Sequence, residues 1–185
     1  MKTTQRALFA ALLVLSLAAS AASLLKTDPA RSSVSAVFKQ MNVPVEATFK
    51  KFTIVIDYNP QTPGAATAKV EIDTASLDLG EAEMNQEVAK KEWFNSSQYP
   101  KATFVSSAIR PVAGGKLSVT GKLTIKGKTV DVTFPLSVKN DAGKQVFEGA
   151  LPIKRLAFNI GEGEWKDTSM VADDVTIKFR VTAAP

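Results

Sequence analysis

The sequence predicts an all-β protein: an eight-stranded antiparallel barrel carrying one short helix. Three observations lead there. Through most of the chain after residue 31, apolar residues alternate with polar ones, the period-two mark of strands with one buried face. Turn-forming residues punctuate these runs at Pro60, Pro63 and Gly64, at Gly114-Gly115, at Lys126-Gly127 and at Asp141-Ala142-Gly143. One stretch, residues 81–91 (EAEMNQEVAKK), breaks the pattern and contains no glycine or proline.

Taken in order, the chain opens with Lys2 and Arg6, the apolar run Ala7 to Ala19, and small residues through Ala22. This is the layout of a cleavable secretory signal peptide, expected over residues 1–22. The run is shorter than the ~20 residues of a spanning helix. No cysteine follows it, so a lipid anchor at cysteine is not expected. The remaining 23–185, roughly 160 residues, fit one domain. Export to the periplasm of a bacterium is the expected destination.

Residues 32–39 and 43–58 read as the first two strands. The second changes its apolar face between Phe49 and Phe52, which predicts a bend or bulge near Lys50-Lys51. Ala68, Val70 and Ile72 alternate in the third. The helix follows, with glutamates leading and lysines ending it, as the helix dipole favours. Met84 and Val88, four apart, share one face. The connection WFNSSQYP ends at Pro100, which disfavours helix at Tyr99. Residues 101–110 form the fourth strand. Leu117, Val119, Leu123 and Ile125 alternate in the fifth, and Val130, Val132, Phe134, Leu136 and Val138 in the sixth. Between these two, Lys126-Gly127 suits a tight hairpin. Residues 144–155 supply the seventh strand, and Val175, Ile177, Phe179 and Val181 mark the eighth. Closing eight such strands removes their exposed edges. A barrel of that size is either filled by its side chains or holds one small ligand.

Composition limits the chemistry. There is no histidine and no cysteine, so neither a Ser-His-Asp nor a Cys-His arrangement is available. The carboxylate clusters are Glu162 with Glu164 in the loop GEGEW, and Asp173 with Asp174 at a strand start. The glutamates are expected to face water and one aspartate to bond a nearby turn, so no metal site is expected. No Gly-rich phosphate loop of Walker type occurs. The charge of +5 includes Lys2 and Arg6, and the other basic residues are spread along strands and turns. A nucleic-acid footprint would be a clustered basic face, so none is expected.

Six phrases in order carry a family resemblance: VEATFKKF at 45–52, VEIDTASLDLG at 70–80, EWFNSSQYPKATFVSS at 92–107, SVTGKLTIKGKTVDVTF at 118–134, IKRLAFNIG at 153–161 and VADDVTIKFRV at 171–181. Together they resemble the YceI-like family of polyisoprenoid-binding, lipocalin-like bacterial exported proteins. The resemblance implies an elongated lipocalin-like barrel with the helix near its mouth. It also implies a long hydrophobic tunnel for an isoprenoid or similar amphiphile; members bind polyprenyl, quinone-type and fatty-amide ligands. Many members carry Arg-Asp and then His-Leu on the short helix, where this chain has Met84, Asn85, Glu87 and Val88. Many also carry histidines on the first strand, and a glycine where this chain has Ala47. Tunnel and tail binding therefore carry over better than head-group contacts, and a neutral head such as a quinone ring better than a pyrophosphate.

The expected tunnel wall is Phe38, Phe49, Phe104, Val119, Leu123, Phe134, Phe158 and Phe179, with Met84, Val88, Trp93 and Phe94 closing the helix end. Trp93 and Phe94 are expected first to seat the helix on the barrel and second to touch lipid. Arg155, Lys154, Asn85 and Gln86 are candidates for a polar head, Arg155 alternatively for an ion pair on the wall. The expected cargo is an isoprenoid lipid or quinone, with no required cofactor. The expected partners are an amphiphilic lipid and, transiently, a membrane or membrane protein. The rival readings are a packed barrel that serves as an interaction module and an enzyme acting on a lipid.

Overall fold

The computed structural model describes residues 24–185; the expected signal peptide lies outside the described residues. The strands are β1 (Leu24–Thr27), β2 (Ser33–Gln40), β3 (Val43–Phe49), β4 (Phe52–Asp57), β5 (Thr67–Asp73), β6 (Leu77–Asp78), β7 (Lys101–Val112), β8 (Lys116–Ile125), β9 (Lys128–Asp141), β10 (Lys144–Lys154) and β11 (Val171–Ala184). One α-helix, α1 (Ala82–Ala89), lies between β6 and β7.

These segments make an eight-stranded closed barrel because two staves are each broken in two. β1 and β2 both pair with β11, and β3 and β4 continue one another across a bend. All pairings are antiparallel, in the order β4-β5-β7-β8-β9-β10-β11, and β1 closes the ring by pairing with both β4 and β11. The two-residue β6 adds to the edge of β3. The expected strands are all present. β1 was not foreseen, because four residues before Pro29 are too few to show alternation.

The bend falls at Lys50-Lys51, where the face switch placed it. Ala47 and Phe49 are buried on one side of it, Ile54 and Ile56 on the other. The main-chain groups it frees are satisfied from residues 73–76. Lys50 N–H donates to the Ser76 carbonyl at 3.0 Å, Lys51 N–H to Ser76 Oγ at 3.0 Å, and Asp73 N–H to the Lys51 carbonyl at 3.0 Å. The bend thus has its hydrogen bonds without a ladder partner.

The β8–β9 hairpin turns on Lys126 and Gly127, with φ of 47° and 74°. Two positive φ values in a two-residue loop make a type I′ turn, matched to strand twist. The β7–β8 pair carries an irregularity between Ser106 and Ala108, and Gly121 sits opposite it. A Cβ at Gly121 would lie 2.4 Å from the Val105 carbonyl oxygen and 2.5 Å from the Phe104 ring. The backbone oxygen cannot yield as a flexible side chain would. Gly121→Ala is therefore expected to lower stability by about 1–3 kcal/mol, read as a drop in urea midpoint with unchanged slope.

Candidate functional site

Inward side chains of all eight staves line one continuous cavity of about 210 Å³. On β8 alone, Leu117, Val119, Leu123 and Ile125 face it. Eight residues of strand span about 26 Å at ~3.3 Å per residue. Spread over that length, the volume is a narrow, apolar tunnel. Its middle is aromatic: Phe134 lies 5.6 Å from both Phe104 and Phe179, centroid to centroid. Away from α1, Tyr58 and Phe147 meet edge to face at 5.3 Å. Burial there pushes the Tyr58 hydroxyl pKa upward.

The expected wall residues fall into two groups. Phe38, Phe49, Phe104, Val119, Leu123, Phe134 and Phe179 line the tunnel, and Val88, Trp93, Phe94 and Arg155 line its helix end. Met84 and Phe158 do not. The C-terminal end of α1 is tied to the following turn, with Phe94 N–H on the Val88 carbonyl at 3.0 Å. Met84, one turn further out, is exposed. Phe158 is 1 % exposed, but it sits in a 3-10 turn (Arg155–Phe158) after β10 has ended. Phe158 thus lies past the last strand residue of β10, and its side chain packs outside the tunnel wall.

Arg155 is neither a free head-group contact nor half of an ion pair. It is 2 % exposed, and all five guanidinium N–H groups meet main-chain carbonyls. Nε donates to Ala172 at 3.1 Å. One terminal nitrogen donates to Ile160 at 2.8 Å and Gly161 at 3.2 Å, the other to Trp165 at 2.6 Å and Val171 at 2.7 Å. Burial pushes its pKa down, opposed by the charge of Asp173; guanidinium stays protonated regardless. The cation also stands 5.8 Å from the centroid of the Trp93 ring. Asp173 bonds a turn as expected, accepting from Leu156 N–H at 3.0 Å.

The other head-group candidates are also engaged or outside. Asn85 accepts from Leu79 N–H at 2.7 Å and donates to Asp78 at 3.2 Å. Lys154 pairs with Asp174 at 2.7 Å on the surface. Gln86 is exposed.

Three features of this end were not anticipated. Trp165 packs on Trp93 at 5.2 Å between ring centroids. Lys126, expected only as a turn residue, is buried. Its ammonium donates to the Lys91 carbonyl at 2.7 Å, the Asn159 carbonyl at 2.8 Å and Glu162 at 2.8 Å. Glu162 is thereby held by a cation instead of facing water alone. The third is the polar seat of the 92–99 turn. Thr74 Oγ1 lies 2.9 Å from the Tyr99 carbonyl and 3.0 Å from Ser96 Oγ. A basic residue next to LAF or before a Gly turn is the only sequence signal for Arg155 or Lys126, and it is weak. Among the described residues, no group of three or more His, Cys, Asp or Glu could hold a metal ion.

An eight-stranded lipocalin-like barrel with an apolar internal tunnel is the class that this fold and site define. The YceI-like domain model matches residues 25–183, and the chain belongs to that family. Protein YceI of Escherichia coli O157:H7 is 33 % identical over 119 residues, 61 % of this chain and 62 % of the relative. The match thus spans about three fifths of that relative's length. The crystal structure of Burkholderia cenocepacia BcnA is similar at 55 % identity and a TM-score of 0.84, over 86 % of this chain and 100 % of that one. A polyisoprenoid binding domain from Saccharophagus degradans shares the fold, at 18 % identity and a TM-score of 0.65, over 88 % and 98 % of the two chains.

Two measurements check these assignments. Lysine has three donors where Arg155 uses five, so Arg155→Lys strands carbonyls and is expected to lower unfolding free energy by about 2–4 kcal/mol. The hydrogen bond and charge of Lys126 hold the Glu162 carboxyl below the usual glutamate range. A depressed carboxylate stabilises the fold above its ordinary pKa, and that contribution is lost as pH falls through the depressed value. Glu162→Gln should therefore lower Tm most near neutrality, and the difference should vanish as pH falls through the depressed value, which flattens the acid side of the Tm–pH curve.

Proposed function

We propose that this protein is a periplasmic carrier that sequesters an isoprenoid-type amphiphilic lipid, a polyprenyl lipid or a quinone, within the tunnel. The observation that carries the reading is the continuous apolar bore from Tyr58 to Trp93. An apolar tail needs no directional contact, and each Å² of it removed from water contributes about 25 cal/mol, before the cost of ordering the chain. The polyisoprenoid binding named for the Saccharophagus degradans domain supports the same reading. A binding role also suits a chain without histidine or cysteine, whose buried cations are engaged with main-chain carbonyls and Glu162. Export through the signal-peptide-like N-terminus would place it beside membranes. At the helix end, Met41, Val43 and Met170 are exposed, and they supply an apolar rim for contact with a bilayer surface.

Organic extraction of gently purified protein, followed by mass spectrometry, should reveal a bound isoprenoid lipid at near-stoichiometric level. Val119, 2 % exposed at mid-tunnel, provides the control. Val119→Trp should cut co-purified lipid at least about tenfold while far-UV circular dichroism stays that of a barrel. Lipid-free extracts from the wild type, or unchanged lipid content in a folded Val119→Trp variant, would count against carriage in this tunnel.

A further inference from the structure

Gly149 stands in the middle of β10, between Phe147 and Leu151, whose side chains both line the tunnel. Strand alternation therefore turns position 149 toward the bore as well. Glycine weakens a strand interior because it has no side chain to pack, and there it often marks a close approach by another group. The backbone does not call for it, since Gly149 has no positive φ. The group that approaches is Phe179, its antiparallel partner on β11. A Cβ built on Gly149 would run into the tip of the Phe179 ring and lie 3.0 Å from the two carbons beside that tip. The ring thus lies along the wall, over the neighbouring strand, where a side chain of residue 149 would begin.

The other flanks of the ring are filled. β2 places Val34 opposite Phe179, and Val34 is buried. Phe134 packs edge to face on the ring at 5.6 Å. Phe104 lies 5.6 Å from Phe134 in turn, so rings from β7, β9 and β11 form a waist at mid-tunnel. A side chain at 149 would have to press the Phe179 ring aside to regain an ordinary contact of about 3.5 Å. The unfilled space beside the ring is the bore. Phe104 approaches Gly121 in a similar way, but there a Cβ would also meet the Val105 carbonyl oxygen, so backbone and bore cannot be varied separately. At Gly149 the three nearest atoms all belong to the Phe179 ring. Its missing Cβ therefore bears on the bore and not on the backbone.

We propose that Gly149 sets the length and girth of tail that the tunnel accepts: by leaving Phe179 room against the wall, it keeps the waist open to a long acyclic tail and closed to one that ends in a bulky ring. The assignment rests on the carrier reading and adds to it a selection made by the tail. A short tail is housed on one side of the waist and does not feel it. A long tail must cross from the helix end toward Tyr58 and Phe147.

Three alcohols with the same hydroxyl head test it on the intact folded protein: geraniol, the longer geranylgeraniol, and retinol, whose isoprenoid chain ends in a substituted cyclohexene ring. The wild type should bind geranylgeraniol at least about tenfold more tightly than retinol. Gly149→Ala should weaken geranylgeraniol about tenfold and leave geraniol within about twofold. Adding Phe179→Leu, whose side chain stops short of the new Cβ, should restore geranylgeraniol, a coupling that a merely structural glycine would not show. The assignment is overturned if the wild type binds retinol as tightly as geranylgeraniol, or if Gly149→Ala leaves geranylgeraniol unchanged. Equal losses for the two linear alcohols, or no restoration by Phe179→Leu, overturn it too; carriage of a tail would survive all four results. If neither linear alcohol enters the wild type, the carrier reading falls and the assignment with it. Should Gly149→Ala fail to fold, Phe179→Leu alone decides. It opens the same waist, so retinol should gain about tenfold relative to geranylgeraniol, and an unchanged ratio overturns the proposal.

Discussion

Arg155 gathers the carbonyls of Ile160, Gly161, Trp165, Val171 and Ala172 onto one buried guanidinium. The chain between β10 and β11 has no strand to pair with, and its oxygens would otherwise be buried without partners. Five donors in one fixed plane answer that need in a way a lysine or two threonines cannot. The loop is thereby folded across the barrel end, which brings Trp165 onto Trp93 and places Glu162 within reach of Lys126. Lys126 then joins the β8–β9 hairpin to the chain after α1 through Lys91 and to the 3-10 turn through Asn159. The helix end is a network of side chains bonded to main chain, and the apolar tunnel wall begins where that network stops.

This arrangement explains which parts were legible in the sequence. A strand writes its buried face every second residue, so Val119, Leu123, Phe134 and Phe179 could be placed on the wall without coordinates. The bend at Lys50-Lys51 was equally visible as a change of phase from Phe49 to Phe52. Arg155 was not readable in the same way, because its partners are carbonyls, and any residue type supplies a carbonyl. Lys126 announced only its turn. The left-handed backbone of a type I′ loop is local, but the inward path of its side chain depends on Lys91 and Asn159 arriving from elsewhere in the chain. Phe158 and Met84 were misplaced because neither lies where its element meets the tunnel: Phe158 follows the end of β10, and Met84 stands one turn before Val88.

The polar residues of α1 show how a position can look functional and be structural. Asn85 drew notice because it stands where relatives resembling this chain have a charged residue. Its amide instead bridges Leu79 N–H and Asp78, closing the turn that precedes the helix. Asp78 also accepts from Gly80 N–H at 2.9 Å and pairs with Lys50 at 3.2 Å. These contacts hold its carboxyl below the usual aspartate range, the Gly80 bond first among them. The helix is thus tethered at its N-terminal side by a capping-like cluster, and only Val88, near its other end, reaches the tunnel.

The two ends of the barrel are therefore held by different forces. Away from α1, Leu25, Tyr58, Phe147 and Ala183 are buried together and β1 completes the ring of paired strands, so opening there must break ladder hydrogen bonds and expose apolar surface at once. At the helix end, α1 has no fully buried residue and sits outside the closed ladder. Its retention rests on Val88, on the Trp93 and Phe94 wedge and on hydrogen bonds that water can replace. Local opening free energy follows the amount of cooperative burial, so the helix side is the weaker closure. Ease of opening is for that reason located at one end of the molecule, while the paired strands keep the other end closed.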